Sequence, residues 1–324
     1  MDLRGLLARG HGALERRVPP GVPNFAPRLM AATWLLTMFS AIFLGLRVYC
    51  KLSRGRRLWW DDHFLIASWV SVLVSTAMLS EGIKYGIGLH YYNMDLDKMP
   101  TAAMISYSAG FATMLATIWS KTSFGITLLR ISVGRMRWLV WFIIISTNVV
   151  LGISATIHWA QCWPLKKLFY YDMPGTCLAL NIVQNYQIFA AVYSGVLDTV
   201  LAFLPWKIIW TVTINKKERL GALIAMSMGV FSAIMSFLKI SALGDISDNA
   251  STTVDLKIYG TAEPAVTVMA ISIPVLRAFL RPDNPQAPTE FIQFSDFMPD
   301  FSPLDSIDEK KESSSSSSTG LRSP

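Results

Sequence analysis

The sequence predicts an all-α polytopic membrane protein, a bundle of seven transmembrane helices. Seven long apolar stretches lie between residues 29 and 280, separated by short loops that carry basic residues. A helix needs about 20 mostly apolar residues to cross the hydrocarbon core of a bilayer. The stretches are continuous rather than alternating, which favours helices over the strands of a barrel. An odd number of crossings would place the two chain termini on opposite faces of the membrane.

The composition supports a body embedded in lipid. Of the 324 residues, 52% are hydrophobic and only 16% are charged, whereas soluble domains carry about 25% charged residues. The net charge of +7 could suggest nucleic acid, but the basic residues lie at the ends of the apolar stretches, where membrane topology places them. We therefore expect the lipid bilayer as partner and no nucleic acid. The expected location is a membrane crossed several times, either the plasma membrane or an endomembrane.

The chain divides into an arm (1–28), a seven-helix membrane domain (29–282) and a tail (283–324). We expect the helices at 29–50, 62–82, 104–131, 138–160, 185–209, 220–243 and 258–280. Tryptophans, which favour the headgroup level, mark several of their ends: Trp59, Trp60, Trp138, Trp141, Trp159, Trp163, Trp206 and Trp210. The tail is rich in proline and serine and includes the run Ser313 to Ser318. It cannot bury enough apolar area to fold, so we expect it to be disordered.

The distribution of basic residues predicts an outside N-terminus and a cytosolic C-terminus, because cytosolic loops carry the excess of lysine and arginine. Three loops that share a side with the C-terminus hold nine basic residues, against five in the opposite loops. The nine are Lys51, Arg54, Arg56, Arg57, Arg135, Arg137, Lys216, Lys217 and Arg219; the five are Lys84, Lys98, Lys166, Lys167 and Lys257.

Two features of the predicted outside loops agree with this orientation. Asn249-Ala250-Ser251 is a glycosylation sequon, which makes Asn249 a candidate for N-glycosylation. Cys162 and Cys177 lie in one outside loop, where oxidation is permitted. They are either a disulfide or two free thiols. A disulfide there would close a loop of about 15 residues, which corresponds to about 3 kcal/mol in the chain-entropy model.

The ionisable residues within the apolar stretches include Lys121, Asp198, Lys239 and Glu263, with Glu81 at a helix end. Such groups are costly in lipid and usually face a partner or a cavity. Lys121 lies nine residues before Arg130 and Asp198 nine before Lys207, so each is about 13 Å from the cytosolic end of its helix. Lys239 and Glu263 both lie near the outer ends of helices six and seven. We therefore predict two ion pairs, one deep and one near the outer mouth, which either form part of a ligand site or only hold helices together.

Several short strings resemble those of the fungal rhodopsin-like family of integral membrane proteins. Asp61 and Asp62 open the second helix, where carboxylates also suit a helix N-terminus near Arg56 and Arg57. Gly86, Gly88 and His90 belong to the string YGIGLH that follows it. Further strings are KTS and LLRI in helix three, CWP and GTC in the second outside loop, LPWK in helix five and IPVLR in helix seven. The resemblance covers about residues 30 to 282. It implies a seven-helix fold like that of appressorium-receptor-like proteins and of membrane proteins in clusters such as the satratoxin cluster.

The resemblance to a rhodopsin does not bring opsin chemistry with it. A retinal Schiff base needs a lysine well inside helix seven, and residues 258 to 280 contain none. The four histidines are scattered and form no metal-binding spacing. The sequence contains no P-loop and no dinucleotide fingerprint. We therefore expect no cofactor, no metal and no catalytic residues.

Three functions remain open. The first is a receptor-like or sensory protein that binds a small lipophilic ligand and signals to a cytosolic partner, serving a fungal secondary-metabolite pathway. The second is a membrane-embedded enzyme or accessory factor, in which a buried acid such as Glu263 or Asp198 acts on a lipophilic intermediate. The third, a transporter, is less favoured because no internal duplication is evident.

Overall fold

The computed structural model describes residues 25–55, 57–88, 97–129, 134–170, 173–211, 229–242 and 250–279. Seven α-helices lie in these ranges. They are α1 (Ala26–Ser53), α2 (Trp60–Lys84), α3 (Met99–Leu129), α4 (Arg135–Ala160), α5 (Leu180–Thr211), α6 (Gly229–Ala242) and α7 (Ala250–Phe279). The predicted tail, most of the N-terminal arm, His90 and Asn249 lie outside the described residues.

Each predicted helix coincides with one of these seven, but two bounds differ in a way that matters. The third helix begins at Met99 rather than 104, and the seventh begins at Ala250 rather than 258. The first turns of α7 contain Ser251, Thr252 and Asp255, whose low hydropathy hid them from a search for apolar residues. A helix can extend beyond the hydrocarbon layer, so its apolar stretch gives only a minimum length.

The helices are those of a membrane protein. Four of them contain segments long and apolar enough to span a bilayer: Ala26–Ser53, Trp60–Lys84, Met99–Leu129 and Met136–Ala160. The helix Gly229–Ala242 is apolar but shorter. Helices α5 and α7 comprise 32 and 30 residues, lengths that also suffice for a crossing.

The burial pattern is the reverse of that in a water-soluble protein. In α1 the buried face carries Thr33, Thr37 and Ser40, each at most 1% exposed, while Leu35 and Phe39 are more than half exposed. In water an apolar face of this size would be a site of association. In lipid it is the surface that contacts acyl chains, while the polar groups bond to one another inside.

Small residues and hydroxyl groups hold α2 and α3 together. The hydroxyls of Ser68 and Ser75 donate hydrogen bonds of 2.8 and 2.9 Å to the backbone carbonyls of Ala116 and Ala109. Short side chains let two helix backbones approach closely, which is the usual mode of packing between membrane helices. The core of the bundle is therefore assembled from polar contacts between small residues as well as from apolar packing.

A short hairpin follows α4. Its strands, β1 (Cys162–Trp163) and β2 (Thr176–Cys177), are antiparallel, with Cys162 opposite Cys177. A 3₁₀-helix (Leu165–Leu168) lies between them. The cysteine pair forms a disulfide, so the alternative of two free thiols does not hold. We call the end of the bundle that carries this structure the hairpin end.

Helices α3 and α4 meet at Gly125, and this contact should be intolerant of a larger residue. A Cβ added at Gly125 would lie 2.4 Å from Cγ1 of Ile144, whereas one at Gly152 of α4 would meet nothing within 4 Å. We expect Gly125→Ala to lower the free energy of unfolding by about 1–3 kcal/mol through overpacking, and the matched control Gly152→Ala to leave it unchanged or raise it. Thermal unfolding in detergent measures both, and equal effects would contradict the packing.

Candidate functional site

Three helices bring ionisable side chains together in the middle of the bundle. The Lys121 ammonium of α3 lies 2.6 Å from Oδ1 of Asp198 on α5 and 3.0 Å from Oε1 of Glu263 on α7. It also donates a hydrogen bond of 3.3 Å to the backbone carbonyl of Ser194. The side chains of Lys121 and Glu263 are 2% and 1% exposed. One buried lysine therefore joins two carboxylates from different helices.

A second lysine and several hydroxyls complete this group. Lys239 of α6 lies 3.7 Å from Oε2 of Glu263 and is 23% exposed. Asp198 Oδ2 accepts hydrogen bonds from the hydroxyls of Ser232 and Ser236, and Glu263 Oε1 accepts one from Ser194. Thr267 lies next to Ser232, with 3.3 Å between their oxygens. We call the whole group the central cluster: Lys121, Ser194, Asp198, Ser232, Ser236, Lys239, Glu263 and Thr267.

The sequence led us to expect two separate pairs at different depths, but Lys121 and Lys239 share Glu263. The reason lies in the bounds of α7. Measured from the expected start at 258, Glu263 is close to the outer mouth. Measured from the observed start at Ala250 it is 13 residues (263 − 250) into the helix, or about 20 Å at the usual rise per residue. From this position along α7, Oε1 of Glu263 reaches the Lys121 ammonium at 3.0 Å.

The central cluster balances its own charge. Two ammonium groups face two carboxylates, so the formal charges sum to zero. Removing an isolated ion from water costs several kcal/mol, and only close partners and hydrogen bonds offset that cost. The hydroxyls provide such bonds to both acids. The arrangement is thus stable as a unit, whereas the loss of one member would leave an uncompensated charge.

A small cavity adjoins Asp198. Its volume is about 20 Å³, and its lining comprises Phe124, Asp198, Gly229, Ser232, Thr267 and Ala270. This is room for about one water molecule, whereas a site for a small organic molecule measures about 300–1,000 Å³. In this arrangement, the cavity beside the central cluster is too small for an organic ligand.

A second buried group of charges joins the first two helices, and we call it the α1–α2 cluster: Arg47, Lys51, Asp61 and Asp62. The Arg47 guanidinium, 1% exposed, lies 2.8 Å from Asp61 and 2.9 Å from Asp62. Lys51 lies 2.5 Å from Asp62. Arg47 also donates a hydrogen bond of 2.5 Å to the backbone carbonyl of Ile271 on α7. Three helices are thereby joined.

The α1–α2 cluster extends the sequence-based interpretation of Asp61 and Asp62 as carboxylates at a helix N-terminus. Asp62 does accept a hydrogen bond from the backbone N–H of Trp59, as a residue near a helix N-terminus can. The basic partners, however, are Arg47 and Lys51; Arg57 is exposed and Arg56 lies outside the described residues. The sequence did indicate that Arg47 needs an acidic partner, because it lies inside the first apolar stretch, where an unpartnered charge is costly.

The glycines of the turn after α2 have a structural role. Gly86 and Gly88 have φ angles of 104° and 93°, which glycine adopts without the strain that a side chain would introduce. A Cβ at Gly88 would lie 2.9 Å from the backbone nitrogen of Ala26, and the Gly88 carbonyl accepts a hydrogen bond from the N–H of Phe25. This turn therefore contacts the start of α1, away from the central cluster.

Lys121 and Asp198 should be strongly coupled in stability. We expect Lys121→Met and Asp198→Asn each to lower the free energy of unfolding by about 3–5 kcal/mol, because each removes one charge and leaves the central cluster with an uncompensated charge of the opposite sign. The double variant should lose less than the sum, since Lys239 can still neutralise Glu263. A double-mutant cycle in thermal or chemical unfolding measures this coupling. Additive losses would contradict the pair.

Arg47 should not be replaceable by lysine. Its Nε, Nη1 and Nη2 serve three different acceptors, and a single ammonium cannot reproduce that geometry. We expect Arg47→Lys to cost about 1.5–3 kcal/mol, the value of a hydrogen bond to a charged group. The control Arg57→Lys, at an exposed position, should stay within about 0.5 kcal/mol. Similar unfolding midpoints for the two variants would contradict the assigned role of Arg47.

Comparison with known proteins identifies the family. The fungal rhodopsin domain model matches residues 46–282, so the chain belongs to the fungal rhodopsin domain family. It is also 22% identical over 313 residues to the "Polyenoic acids biosynthesis gene cluster protein Ba17b" of Metarhizium anisopliae, with 81% of this chain and 80% of that protein covered. No solved structure matches the chain.

Proposed function

We propose that this protein is a receptor-like membrane protein with seven crossings, an outside N-terminus and a cytosolic C-terminus, and that the central cluster is its switch. The observation that carries the proposal is that Glu263 lies between two lysines on different helices, Lys121 at 3.0 Å and Lys239 at 3.7 Å. A signalling protein needs two helix arrangements that differ by only a few kcal/mol. A carboxylate shared by two cations supports two such arrangements.

Helix α6 is the element that such a switch would move. Lys239 is partly exposed and makes the longest ionic contact in the cluster. Ser232 and Ser236 of the same helix contact Asp198 through bonds of 3.3 and 3.2 Å. Both hydroxyl bonds are longer than the usual range of about 2.5–3.0 Å for O–H···O hydrogen bonds. Moving α6 would break these contacts and form others. The cost in free energy would be smaller than for moving α3 or α7, whose charged groups are more tightly paired.

The proposed context is a fungal biosynthetic pathway. The relative in Metarhizium anisopliae is named after a gene cluster for polyenoic acid biosynthesis, which supports a role for this chain beside such a pathway. We propose that a small lipophilic compound of that pathway acts as the ligand and that a cytosolic protein receives the signal. The alternatives are a membrane-embedded enzyme or accessory factor and, less favoured, a transporter.

The test separates these functions in a fungal strain that carries the gene. Three alleles replace the chromosomal copy: a deletion, Lys239→Gln, and the exposed control Lys166→Gln. We expect the deletion and Lys239→Gln to change transcripts of several pathway genes together, with no single accumulated intermediate, and Lys166→Gln to behave as wild type. An epitope tag verifies equal protein abundance, since Lys239 is the least buried charged member of the cluster.

Other outcomes would contradict a sensory role. One accumulated intermediate, bypassed by feeding the next compound in the sequence, would indicate an enzyme or accessory factor. A complete product retained inside the cells would indicate a transporter. Wild-type transcripts and products in the Lys239→Gln strain would show that the central cluster only holds helices together.

A further inference from the structure

Lys257 of α7 is a charged residue that belongs to neither the central cluster nor the α1–α2 cluster. Its ammonium lies 2.5 Å from the hydroxyl of Ser106 on α3. Among the described residues, no carboxylate lies within 4 Å of it. The side chain is half-buried. A cation at a helix interface without a counter-ion is costly, so an anion that bound beside it would be stabilised.

Small residues lie on one side of Lys257, and aromatic residues lie on the other. Ser106, Gly110 and Thr113 lie on one face of α3 by their spacing. His158 of α4 would lie 3.6 Å from a Cβ at Gly110, and α7 approaches the same face, with 3.7 Å between a Cβ at Gly260 and Thr113. This face of α3 therefore lies between α4 and α7 at the hairpin end.

Aromatic rings line the α4 side of this interface. Tyr107, which follows Ser106, stacks on His158 with 4.8 Å between ring centroids. Phe169, from the hairpin, packs its edge against Tyr107 at 5.8 Å and lies 6.5 Å from Trp159. The His158 Nε2 bonds to the backbone carbonyl of Tyr107 at 3.1 Å, which fixes the ring. The rings therefore begin one residue along α3 from Ser106, whose hydroxyl contacts the Lys257 ammonium.

We propose that the hairpin ends of α3, α4 and α7 bind an amphiphilic carboxylate, with its head group on Lys257 and Ser106 and its apolar chain against Tyr107, Phe169 and Trp159. The inference names a ligand class for the proposed receptor, and only the consequence of binding rests on that proposal. A carboxylate suits this site because one ammonium and one hydroxyl match one small, singly charged head group. Sites for anionic phospholipid heads instead collect several basic residues.

The position of the site also connects it to the central cluster. Lys257 lies seven residues after the start of α7 (257 − 250) and Glu263 six residues beyond it. The head group would therefore bind about 10 Å along α7, and Glu263 would lie about 9 Å deeper. A ligand that fixes Lys257 acts on the same helix that carries the shared carboxylate.

Binding can be measured on the full chain in phosphatidylcholine nanodiscs. The probe is cis-parinaric acid, a fluorescent polyene fatty acid, compared with its methyl ester, and empty nanodiscs supply the lipid background. We expect the acid to bind about tenfold more tightly than the ester, because only the acid has a charged head group that can pair with the Lys257 ammonium. Equal affinities of acid and ester for the wild-type chain would overturn the proposal without any variant.

Three variants locate the site. Lys257→Gln should abolish the preference for acid over ester, Lys257→Arg should retain most of it, and the exposed hairpin control Lys166→Gln should leave it unchanged. Size-exclusion profiles and unfolding temperatures show that each variant is folded. An unchanged preference in folded Lys257→Gln would overturn the proposal. Displacement of the probe by phosphatidylglycerol in the nanodisc, but not by unlabelled fatty acid, would assign the site to lipid head groups instead.

Discussion

The structure depends on one constraint: a bilayer offers no hydrogen-bond partners, so every polar group inside it must be satisfied by the protein. The lipid-facing surface of α1 is consequently apolar and its inner face carries threonine, serine and arginine. Hydroxyl groups that would face water in a soluble helix bond instead to carbonyls of the same or a neighbouring helix, as Thr37 does to Thr33 and Ser68 to Ala116. Polarity is thus concentrated where helices meet.

The two charge clusters satisfy the most costly polar groups inside the bilayer, and α7 contacts both clusters. Its Glu263 pairs with Lys121 of α3 and Lys239 of α6, and its Ile271 carbonyl accepts a hydrogen bond from Arg47 of α1. Arg47 in turn holds the two aspartates at the start of α2. A change in the position of α7 would therefore affect partners on most of the other helices. This connectivity would transmit to other helices any rearrangement at Glu263, the carboxylate shared by Lys121 and Lys239 on which the proposed switch rests.

The sequence predicted the helical class, the existence of each described helix and the identity of the buried charges in the central cluster. It predicted these well because charged residues stand out in an apolar background and because depth follows from the rise of a helix. It was less informative where the position along a helix was counted from an apolar boundary, because the polar first turns of α7 place Glu263 farther along the helix than the apolar stretch indicates. It placed Asp61 and Asp62 at the start of the second helix but did not identify their ion-pair partners. Sequence proximity favoured Arg56 and Arg57, whereas the packing of α1 against α2 brings Arg47 and Lys51 to them.

The proposed crossing of the bilayer an odd number of times is tested most directly by epitope tags placed on the N-terminus and the C-terminus of the full chain and probed in intact and permeabilised cells. The account predicts that an antibody reaches the N-terminal tag in intact cells, if the protein is in the plasma membrane, and the C-terminal tag only after permeabilisation. In an internal membrane, selective permeabilisation of the plasma membrane should expose the C-terminal tag alone. Detection of both tags in the same compartment would contradict the account.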